Sequence, residues 1–318
     1  MKKIVLVEPA MISEENLLEA KRIFLKEGFE LINYPTLPKS QEELASRICE
    51  AEIMITSNYP VRKEALEKAP NLKMISVAFT GFDHIDIEFC TQRKIIVSNA
   101  AGFSDTAVAE LTISMILERL RKLSEMQVSV RSGSDKQGFL GSELSGKRVG
   151  VVGTGRIGRR VINLLLAFGA EVIAYSRTPH LDIERLGVRY TPLEELIQTS
   201  DIITLHVPLN SSTQHLIGEK QLKEMKPGAL LINTARGGVV DSKALVKALN
   251  EGLITAAIDV FDSEPPLDKD HQILLTRNSL LLPHIAYATK EAIERRSRLA
   301  FENVSAFIKG TPVRVVNI

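Results

Sequence analysis

The sequence has few cysteines, almost no net charge and no long apolar run, and each absence excludes a class of protein. Its two cysteines, Cys49 and Cys90, have neither metal-binding nor redox spacing, so we expect no metal site, no disulfide framework and a reducing, cytoplasmic compartment. The 40 lysines and arginines nearly cancel the 39 aspartates and glutamates. We therefore expect neither nucleic acid nor a membrane as a partner, and an anionic substrate requires a few local cations.

The apolar segments are all short. The first one, Ile4–Val7, ends at Glu8 and Pro9, which is too short for the hydrophobic region of a signal peptide, so we interpret it as a buried strand. No run approaches the roughly 20 residues that span a bilayer. A chain of 318 residues is too long for one ordinary core, so two domains are expected.

Short β-branched runs alternate with helical patterns along the chain, in two series. Such runs are typical of parallel strands that are buried on both faces. Two series of βα units predict an α/β protein with two doubly wound, Rossmann-like domains. The first series is Ile4–Val7, Ile53–Thr56, Met74–Val77 and Ile95–Val97. The second series is Val149–Val152, Val172–Tyr175, Ile202–Leu205, Leu230–Asn233, Ala256–Val260 and Leu280–Leu282.

Two longer helical patterns flank the second series. Apolar residues at helical spacing predict one long helix from about Ser104 to Val130, followed by a loop at 132–138. This helix either bridges the domains, forms a subunit interface or simply packs in a core. The stretch Lys290–Lys309 predicts a final amphipathic helix that ends at Gly310.

A glycine-rich turn joins the first strand of the second series to a helix. Gly153, Gly155 and Gly158 fit the pattern G-x-G-x-x-G, with a strand before it and a helix after it. The first glycine permits a tight turn, the second lets backbone amides approach a pyrophosphate, and the third lets the helix pack on the strand. The N–H groups at the helix start then face the phosphates. The sequence therefore predicts a dinucleotide site.

The next strand ends in Ser176, Arg177 and Thr178, where an NAD-preferring site places an acidic residue on the ribose hydroxyls. An acidic residue repels a 2′-phosphate, whereas arginine binds it with a charge-assisted fork of donors. These three residues favour NADP(H) as the cofactor. NAD(H) remains the alternative, in which Arg177 is a solvated loop residue.

Three polar residues follow later strands of the second series: Arg236, Glu264 and His284. Ligands of doubly wound folds bind beyond the carboxyl ends of the strands, so these side chains are candidates for one cleft beside the nicotinamide. Each also has an ordinary structural interpretation as a salt bridge, a turn residue or a core histidine.

The chemistry of a 2-oxo acid gives each of the three a role. Arg236 can hold the carboxylate and polarise the ketone. His284, when protonated, can donate to the forming alkoxide, and its neutral form accepts that proton in the reverse direction. Glu264 beside His284 favours the imidazolium and fixes the ring.

The chain contains six characteristic segments: Gly153–Gly158, His206–Asn210, Asn233–Gly237, Asp259–Pro265, Pro283–Ala286 and the loop Ala78–His84. These motifs together resemble those of the D-2-hydroxyacid dehydrogenases over almost the whole chain. The resemblance implies that Arg236, Glu264 and His284 are the catalytic trio and that Asp259 lies near the nicotinamide amide. It implies further cofactor contacts at Arg156, Ile157, Pro208 and Thr234, and substrate-carboxylate binding by backbone N–H groups of Thr80 and Gly81.

The resemblance also implies the domain order. A dinucleotide-binding domain at 99–287 is expected to interrupt a substrate domain made of 1–98 and 288–318. The helix from Ser104 is similar to the family's dimerisation element, so a homodimer is expected.

The substrate is expected to be a small 2-oxo acid. Phosphoglycerate dehydrogenases of this family hold a phosphate with basic residues after the third strand. The corresponding stretch here, Thr56–Val61, has no arginine or lysine, so the resemblance argues against a phosphorylated substrate. The segment Ser98–Glu110 is more similar to glyoxylate and hydroxypyruvate reductases, and Tyr287 departs from the small residues that are usual there. The alternatives are an NAD-linked phosphoglycerate or D-lactate dehydrogenase, oxidation of formate or phosphite, and a dinucleotide-sensing corepressor of the same fold.

Overall fold

The computed structural model describes residues 1–136 and 138–317. Gln137, in the predicted loop 132–138, and Ile318, the last residue of the expected substrate domain, lie outside the described residues. The chain divides into two compact units. Unit 1 consists of residues 1–104 and 288–318, and unit 2 of residues 105–287.

Unit 1 is built on a five-stranded parallel sheet in the order β2-β1-β3-β4-β5. Strands β3 and β4 are buried at every position, because helices cover both faces of the sheet. The strands are β1 (Lys2–Leu6), β2 (Phe29–Asn33), β3 (Ile53–Thr56), β4 (Met74–Val77) and β5 (Ile96–Asn99). The helices are α1 (Glu14–Lys26), α2 (Gln41–Ile48), α3 (Lys63–Leu66), α4 (Ile87–Gln92) and α12 (Lys290–Ile308).

Unit 2 is built on a seven-stranded parallel sheet in the order β12-β11-β10-β9-β6-β7-β8. Its strands are β6 (Arg148–Val152), β7 (Glu171–Tyr175), β8 (Arg189–Tyr190), β9 (Ile202–Leu205), β10 (Leu230–Asn233), β11 (Thr255–Ile258) and β12 (Ser279–Leu281). Its helices are α5 (Asp105–Arg121), α6 (Leu123–Arg131), α7 (Arg156–Ala167), α8 (Leu181–Glu184), α9 (Leu193–Thr199), α10 (Glu219–Glu224) and α11 (Ser242–Asn250). Short 3-10 turns lie at Gly237–Val239 and Gln272–Leu275.

Two apolar clusters cover the two faces of the sheet in unit 2. One contains Val161 and Leu165 of α7 together with Ile113 and Ile116 of α5. The other contains side chains of α9, α10 and α11. The order of β9 and β6 in this sheet places the chain reversal of the doubly wound fold between them, and ligands bind at such a point. The predicted fold class, α/β with two parallel sheets, is confirmed.

The prediction of one long helix from Ser104 to Val130 is wrong. The segment forms two helices, α5 and α6, and the chain turns at Lys122, whose φ of 47° and ψ of 50° lie in the left-handed region. A left-handed residue breaks the helical hydrogen-bond pattern. Strands β2 and β8, which lie at edges of their sheets, were not predicted from the sequence.

Across the described residues, no helix combines the length and the apolar character that crossing a bilayer requires.

Candidate functional site

The glycine-rich turn follows β6 and leads into α7. Gly153 has a φ of 96°, and an added Cβ would lie 2.5 Å from the carbonyl oxygen of His206. A Cβ on Gly158 would lie 2.0 Å from the carbonyl oxygen of Gly153. These two glycines are therefore required by the packing of the protein itself.

Gly155 is different, because a Cβ added there would meet no atom within 4 Å. It is the N-cap residue of α7, where the first helical N–H groups have no partner within the helix. The open space in front of these donors fits a pyrophosphate, and a side chain would fill it. The turn therefore fits the dinucleotide that the sequence predicts.

The other predicted cofactor contacts lie beside this turn or on neighbouring strand ends. The guanidinium of Arg156 is paired with Asp105, with 2.7 Å between Nε and Oδ2. The hydroxyl of Thr234, after β10, lies 3.3 Å from that of Thr112 on α5. Ile157 is half-buried at the start of α7 and Pro208 is exposed after β9.

The segment predicted to select the cofactor follows β7. Ser176 is half-buried, while Arg177 and Thr178 are exposed. Within the described part of the chain, the structure gives the Arg177 guanidinium no hydrogen bond or ion pair, so it is available to a ligand.

Arg236, Glu264 and His284 follow β10, β11 and β12, which are neighbours in the sheet. Because the strands are parallel, their carboxyl ends lie at one edge, and the three residues emerge from that edge. Nδ1 of His284 lies 2.7 Å from Oε2 of Glu264. The carboxylate therefore orients the ring, and the other nitrogen, Nε2, is left to exchange a proton with a substrate.

The Arg236 loop is shaped by a short hydrogen-bonded turn. Asn233 accepts from the N–H of Ala235 at 3.0 Å and donates to the carbonyl of Arg236 at 2.9 Å. Nη1 of Arg236 donates to the carbonyl of Ala235 at 2.9 Å. The next residue, Gly237, lies so close to Phe261 that a Cβ would come within 1.9 Å of its carbonyl carbon. The loops that carry Arg236 and Glu264 are thereby in direct backbone contact.

Asp259 is completely buried and holds the loop that carries His284. Its carboxylate accepts from the N–H groups of Ile285 and Ala286, both at 2.8 Å. Burial raises the pKa of Asp259, and these two donors oppose that rise. His284 itself has a φ of 56°, a strained conformation that surrounding contacts must maintain. The ring of Tyr287 packs edge-on against the imidazole, with 5.5 Å between centroids.

A second histidine near the glycine turn is not suited to proton exchange. Burial lowers the pKa of His206 to about 3, so its ring is neutral at pH 7. Nε2 of this ring lies 2.9 Å from the hydroxyl of Thr204. We therefore assign His206 to the packing of the turn.

The predicted substrate loop lies in unit 1. The carbonyl of Phe79 accepts from the N–H of Ala100 at 2.9 Å. The carbonyl of Thr80 accepts from the side-chain amide of Asn99 at 2.7 Å. In the part of the chain that the structure describes, the N–H groups of Thr80 and Gly81 donate to no protein atom. The Thr80 hydroxyl is likewise buried without a hydrogen-bond partner among these residues. Such unsatisfied donors are suited to an anionic ligand.

The positioning roles of Asn233 and Gly237 were not predicted from the sequence. A signal for both was present, because an asparagine at a strand end and a glycine pair after Arg236 are typical of a tight turn. The residues that connect the glycine turn to the loop after β7 were not predicted either, because they belong to no recognisable sequence motif.

The sequence of this chain is similar to those of known proteins. Residues 113–286 match the family described as D-isomer specific 2-hydroxyacid dehydrogenase, NAD binding domain. The glyoxylate reductase of Thermococcus litoralis is 43% identical over 286 residues, which is 86% of this chain and 86% of that protein.

Two solved structures are similar over nearly their whole length. An acyclic imino acid reductase, Bsp5, in complex with NADPH and D-Arg has a TM-score of 0.90 at 30% identity, covering 99% of both chains. The D-lactate dehydrogenase of Aquifex aeolicus in complex with NAD and lactic acid has a TM-score of 0.85 at 33% identity, covering 98% of this chain and 96% of that one.

The family match and these relatives agree with the parallel sheets of the structure and with an NAD-binding domain within residues 113–286. A nicotinamide dinucleotide is therefore the cofactor, and the CH–OH group of a 2-hydroxy acid is the group that reacts. The chain belongs to the D-2-hydroxyacid dehydrogenase family.

Proposed function

We propose that the protein is an NADPH-dependent reductase of glyoxylate, hydroxypyruvate or a similarly short 2-oxo acid. The observation that carries this proposal is the 2.7 Å contact between His284 and Glu264 at the end of two neighbouring strands, with Arg236 at the end of the next. The similarity to a glyoxylate reductase supports the choice of substrate.

Each residue has a role in this proposal. The guanidinium of Arg236 binds the substrate carboxylate. Carboxylate binding by the N–H groups of Thr80 and Gly81, which lie in unit 1, stays a prediction from the family resemblance. Nε2 of His284 donates a proton to the carbonyl oxygen as charge develops there, and Glu264 holds the opposite ring nitrogen. Bound NADPH supplies the hydride, while the protein supplies position and charge. In the reverse direction, neutral His284 accepts the hydroxyl proton.

The cofactor contacts of the proposal surround the glycine turn and neighbouring strand ends of unit 2. The exposed guanidinium of Arg177 binds the 2′-phosphate, with Ser176 and Thr178 beside it. Asp259 contributes at the nicotinamide end by fixing the His284 loop. The remaining contacts are Gly153, Gly155, Arg156, Ile157, Gly158, Pro208 and Thr234. Unit 2 is then the dinucleotide-binding domain and unit 1 the substrate domain.

Similar structures contain either NADPH or NAD, so the choice of cofactor depends on this chain's own residues. The absence of an acidic residue at 176–178 is the feature that favours NADPH. The two free thiols, one exposed and one buried, suit a reducing compartment such as the cytoplasm.

Steady-state kinetics with NADPH and NADH on glyoxylate, hydroxypyruvate and pyruvate test the proposal. We expect the highest kcat/KM with NADPH, and Arg177→Asp should shift the preference towards NADH. Arg185→Asp, which removes an exposed arginine after the same loop, is the matched control and should keep the parent preference. Failure of every acid to react with either cofactor would refute the function, and an unchanged preference in Arg177→Asp would refute the role of that arginine.

We further propose that the protein is a homodimer formed through the segment 104–130, with α6 at the interface. Helix α6 has no buried residue in the single chain. Apolar side chains are exposed on it and beyond it, with exposed fractions of 67% at Val128, 70% at Val130 and 83% at Leu140. Such exposure is typical of a surface that a second copy covers.

Light scattering after size-exclusion chromatography tests the dimer. Leu123→Glu in α6 should produce monomers, because a buried carboxylate at an apolar interface is unfavourable. Leu18→Glu is the matched control, since the exposed fractions of these leucines are 55% and 54%. A monomeric parent would contradict the proposal, as would a Leu123→Glu variant that stays dimeric.

A further inference from the structure

The hydroxyl of Tyr190 connects two parts of unit 2 that are far apart in the sequence. Tyr190 lies on the edge strand β8, opposite Ala174 of β7. Its hydroxyl donates to Oγ1 of Thr154 at 2.9 Å and accepts from the N–H of His180 at 3.1 Å. A single tyrosine hydroxyl therefore uses both its donor and its acceptor capacity in these two contacts.

The two partners of this hydroxyl have distinct places in the cofactor site. Thr154 lies between Gly153 and Gly155 in the turn that faces the pyrophosphate, and it is completely buried. His180 ends the loop that begins at Ser176 and carries Arg177. The hydroxyl thus fixes the distance between the turn and the far end of that loop.

A second connection lies next to the first. Nε of Arg159, on α7, donates to the carbonyl of Thr154 at 3.2 Å. Its Nη1 is paired with Asp182 of α8 at 2.5 Å, two residues after His180. The start of the loop, at the end of β7, is also held against the glycine turn, because the N–H of Gly153 donates to the carbonyl of Tyr175 at 2.7 Å. Between these anchors, Arg177 and Thr178 are exposed, so anchoring at both ends limits their positions.

We propose that Tyr190 is a positioning residue for cofactor discrimination, which holds the 176–180 loop against the glycine turn so that Arg177 meets the 2′-phosphate. The inference rests on the proposed NADP(H) specificity and adds a residue that does not touch the cofactor itself. The pyrophosphate at the turn and the 2′-phosphate at the loop are attached to the same adenosine ribose, at its 5′ and 2′ positions, so the distance between their two sites on the protein is limited. NADH lacks the 2′-phosphate, so its binding depends less on that distance.

The test is Tyr190→Phe, which keeps the ring and removes both hydrogen bonds. The dissociation constants of NADPH and NADH are measured by the fluorescence of the bound reduced nicotinamide, and kcat is measured at saturating cofactor. We expect the NADPH dissociation constant to rise about tenfold, because two hydrogen bonds are lost. The NADH constant should rise by less than about threefold, and kcat should stay within about twofold of the parent.

Two variants of Thr154 separate positioning from general loss of structure. Thr154→Val removes the acceptor of the Tyr190 hydroxyl and should weaken NADPH binding, with little further loss in the double variant with Tyr190→Phe. Thr154→Ser keeps the hydroxyl and should restore binding close to the parent value. Tyr34→Phe in unit 1 is the matched control, because the structure gives its hydroxyl no hydrogen bond within the described residues.

The outcomes distinguish the inference from the proposed function. Tyr190→Phe with parent affinity for NADPH, or with equal losses for NADPH and NADH, would overturn the positioning role while leaving the function intact. A parent that binds NADH but not NADPH would overturn the cofactor specificity and the inference together. Additive losses in the double variant would show that Tyr190 does not act through Thr154.

Discussion

Gly153, Gly155 and Gly158 share one motif but have different physical reasons to be glycine. The first and third have no room for a Cβ, because carbonyl oxygens lie 2.5 Å and 2.0 Å from where it would be. Gly155 has open space around it. A glycine is required at position 155 because a side chain would obstruct the ligand. The motif therefore combines two packing constraints with one binding constraint.

This difference predicts opposite behaviour in two alanine variants. Gly158→Ala should lower the free energy of unfolding by about 1–3 kcal/mol, because the helix must move off the turn. Gly155→Ala should change that free energy by less than about 0.5 kcal/mol and still weaken dinucleotide binding about tenfold. Chemical denaturation and cofactor titration of both proteins measure the two effects. Equal stabilities of the two variants would contradict the packing explanation.

His206 predicts a pH dependence of stability. Burial lowers its pKa in the folded chain to about 3, whereas an exposed histidine in the unfolded chain titrates near 6.5. Between these values the unfolded chain binds the extra proton, so stability is lost as the pH falls from about 6.5 towards 3. The loss approaches about 1.4 kcal/mol per pH unit.

Urea denaturation between pH 7 and pH 4 checks this expectation, with His206→Gln as the comparison. The variant has no imidazole at this site, so its stability should fall less steeply with decreasing pH than that of the parent. Parallel slopes for the two proteins would show that the buried ring contributes nothing to the pH dependence.

The sequence was sufficient to propose Arg236, Glu264 and His284 as catalytic candidates, because each follows a recognisable strand and the chemistry of a 2-oxo acid offers each a role. Their catalytic roles stay predictions. The sequence was not sufficient to show how they are held. The burial of Asp259 and its two bonds to the His284 loop depend on neighbouring strands of a folded sheet. The sequence does not predict the role of Tyr190, because the hydrogen-bond partners of its hydroxyl are determined only when β8 packs against β7.

At the scale of elements, the central strands of each sheet were easier to predict than the strands at its edges. Fully buried runs such as Ile53–Thr56 are apolar at nearly every position and short, which is typical of a central parallel strand. The edge strand Phe29–Asn33 alternates between buried and exposed residues and contains a glutamate, so it resembles a continuation of the helix before it. Periodicity alone therefore identifies the centre of a sheet better than its border.

The break between α5 and α6 had no sequence signal because Lys122 occupies a conformation that glycine usually adopts. For lysine this conformation costs about 1–2 kcal/mol. Its ammonium lies 5.1 Å from the centre of the Phe139 ring, which offsets part of that cost.

We predict that Lys122→Gly raises the free energy of unfolding by about 0.5 kcal/mol, because glycine adopts the left-handed region without strain. Glu110→Gly, at an exposed position inside α5, is the control and should lower it by about 1 kcal/mol. Thermal and urea denaturation show whether each variant raises or lowers the free energy of unfolding. A loss in both variants would show that the turn at Lys122 is not strained.

At the scale of the whole molecule, a near-zero net charge means that anionic ligands are recognised by a few placed cations. Two arginines in unit 2 have that role in the proposed function, Arg177 for the cofactor and Arg236 for the substrate. Family membership establishes the class of reaction, whereas the identity of the acid and of the cofactor depends on these local positions.

Isotope transfer tests the proposed reaction most directly. The protein is incubated with glyoxylate and NADPH that carries deuterium at the transferable position of the nicotinamide, and the product is examined by mass spectrometry and NMR. We predict glycolate with one deuterium on C2, and loss of nearly all product in Arg236→Ala although that variant remains folded. Unlabelled glycolate, or no hydroxy acid from glyoxylate, hydroxypyruvate or pyruvate with either labelled NADPH or labelled NADH, would contradict hydride transfer to a 2-oxo acid.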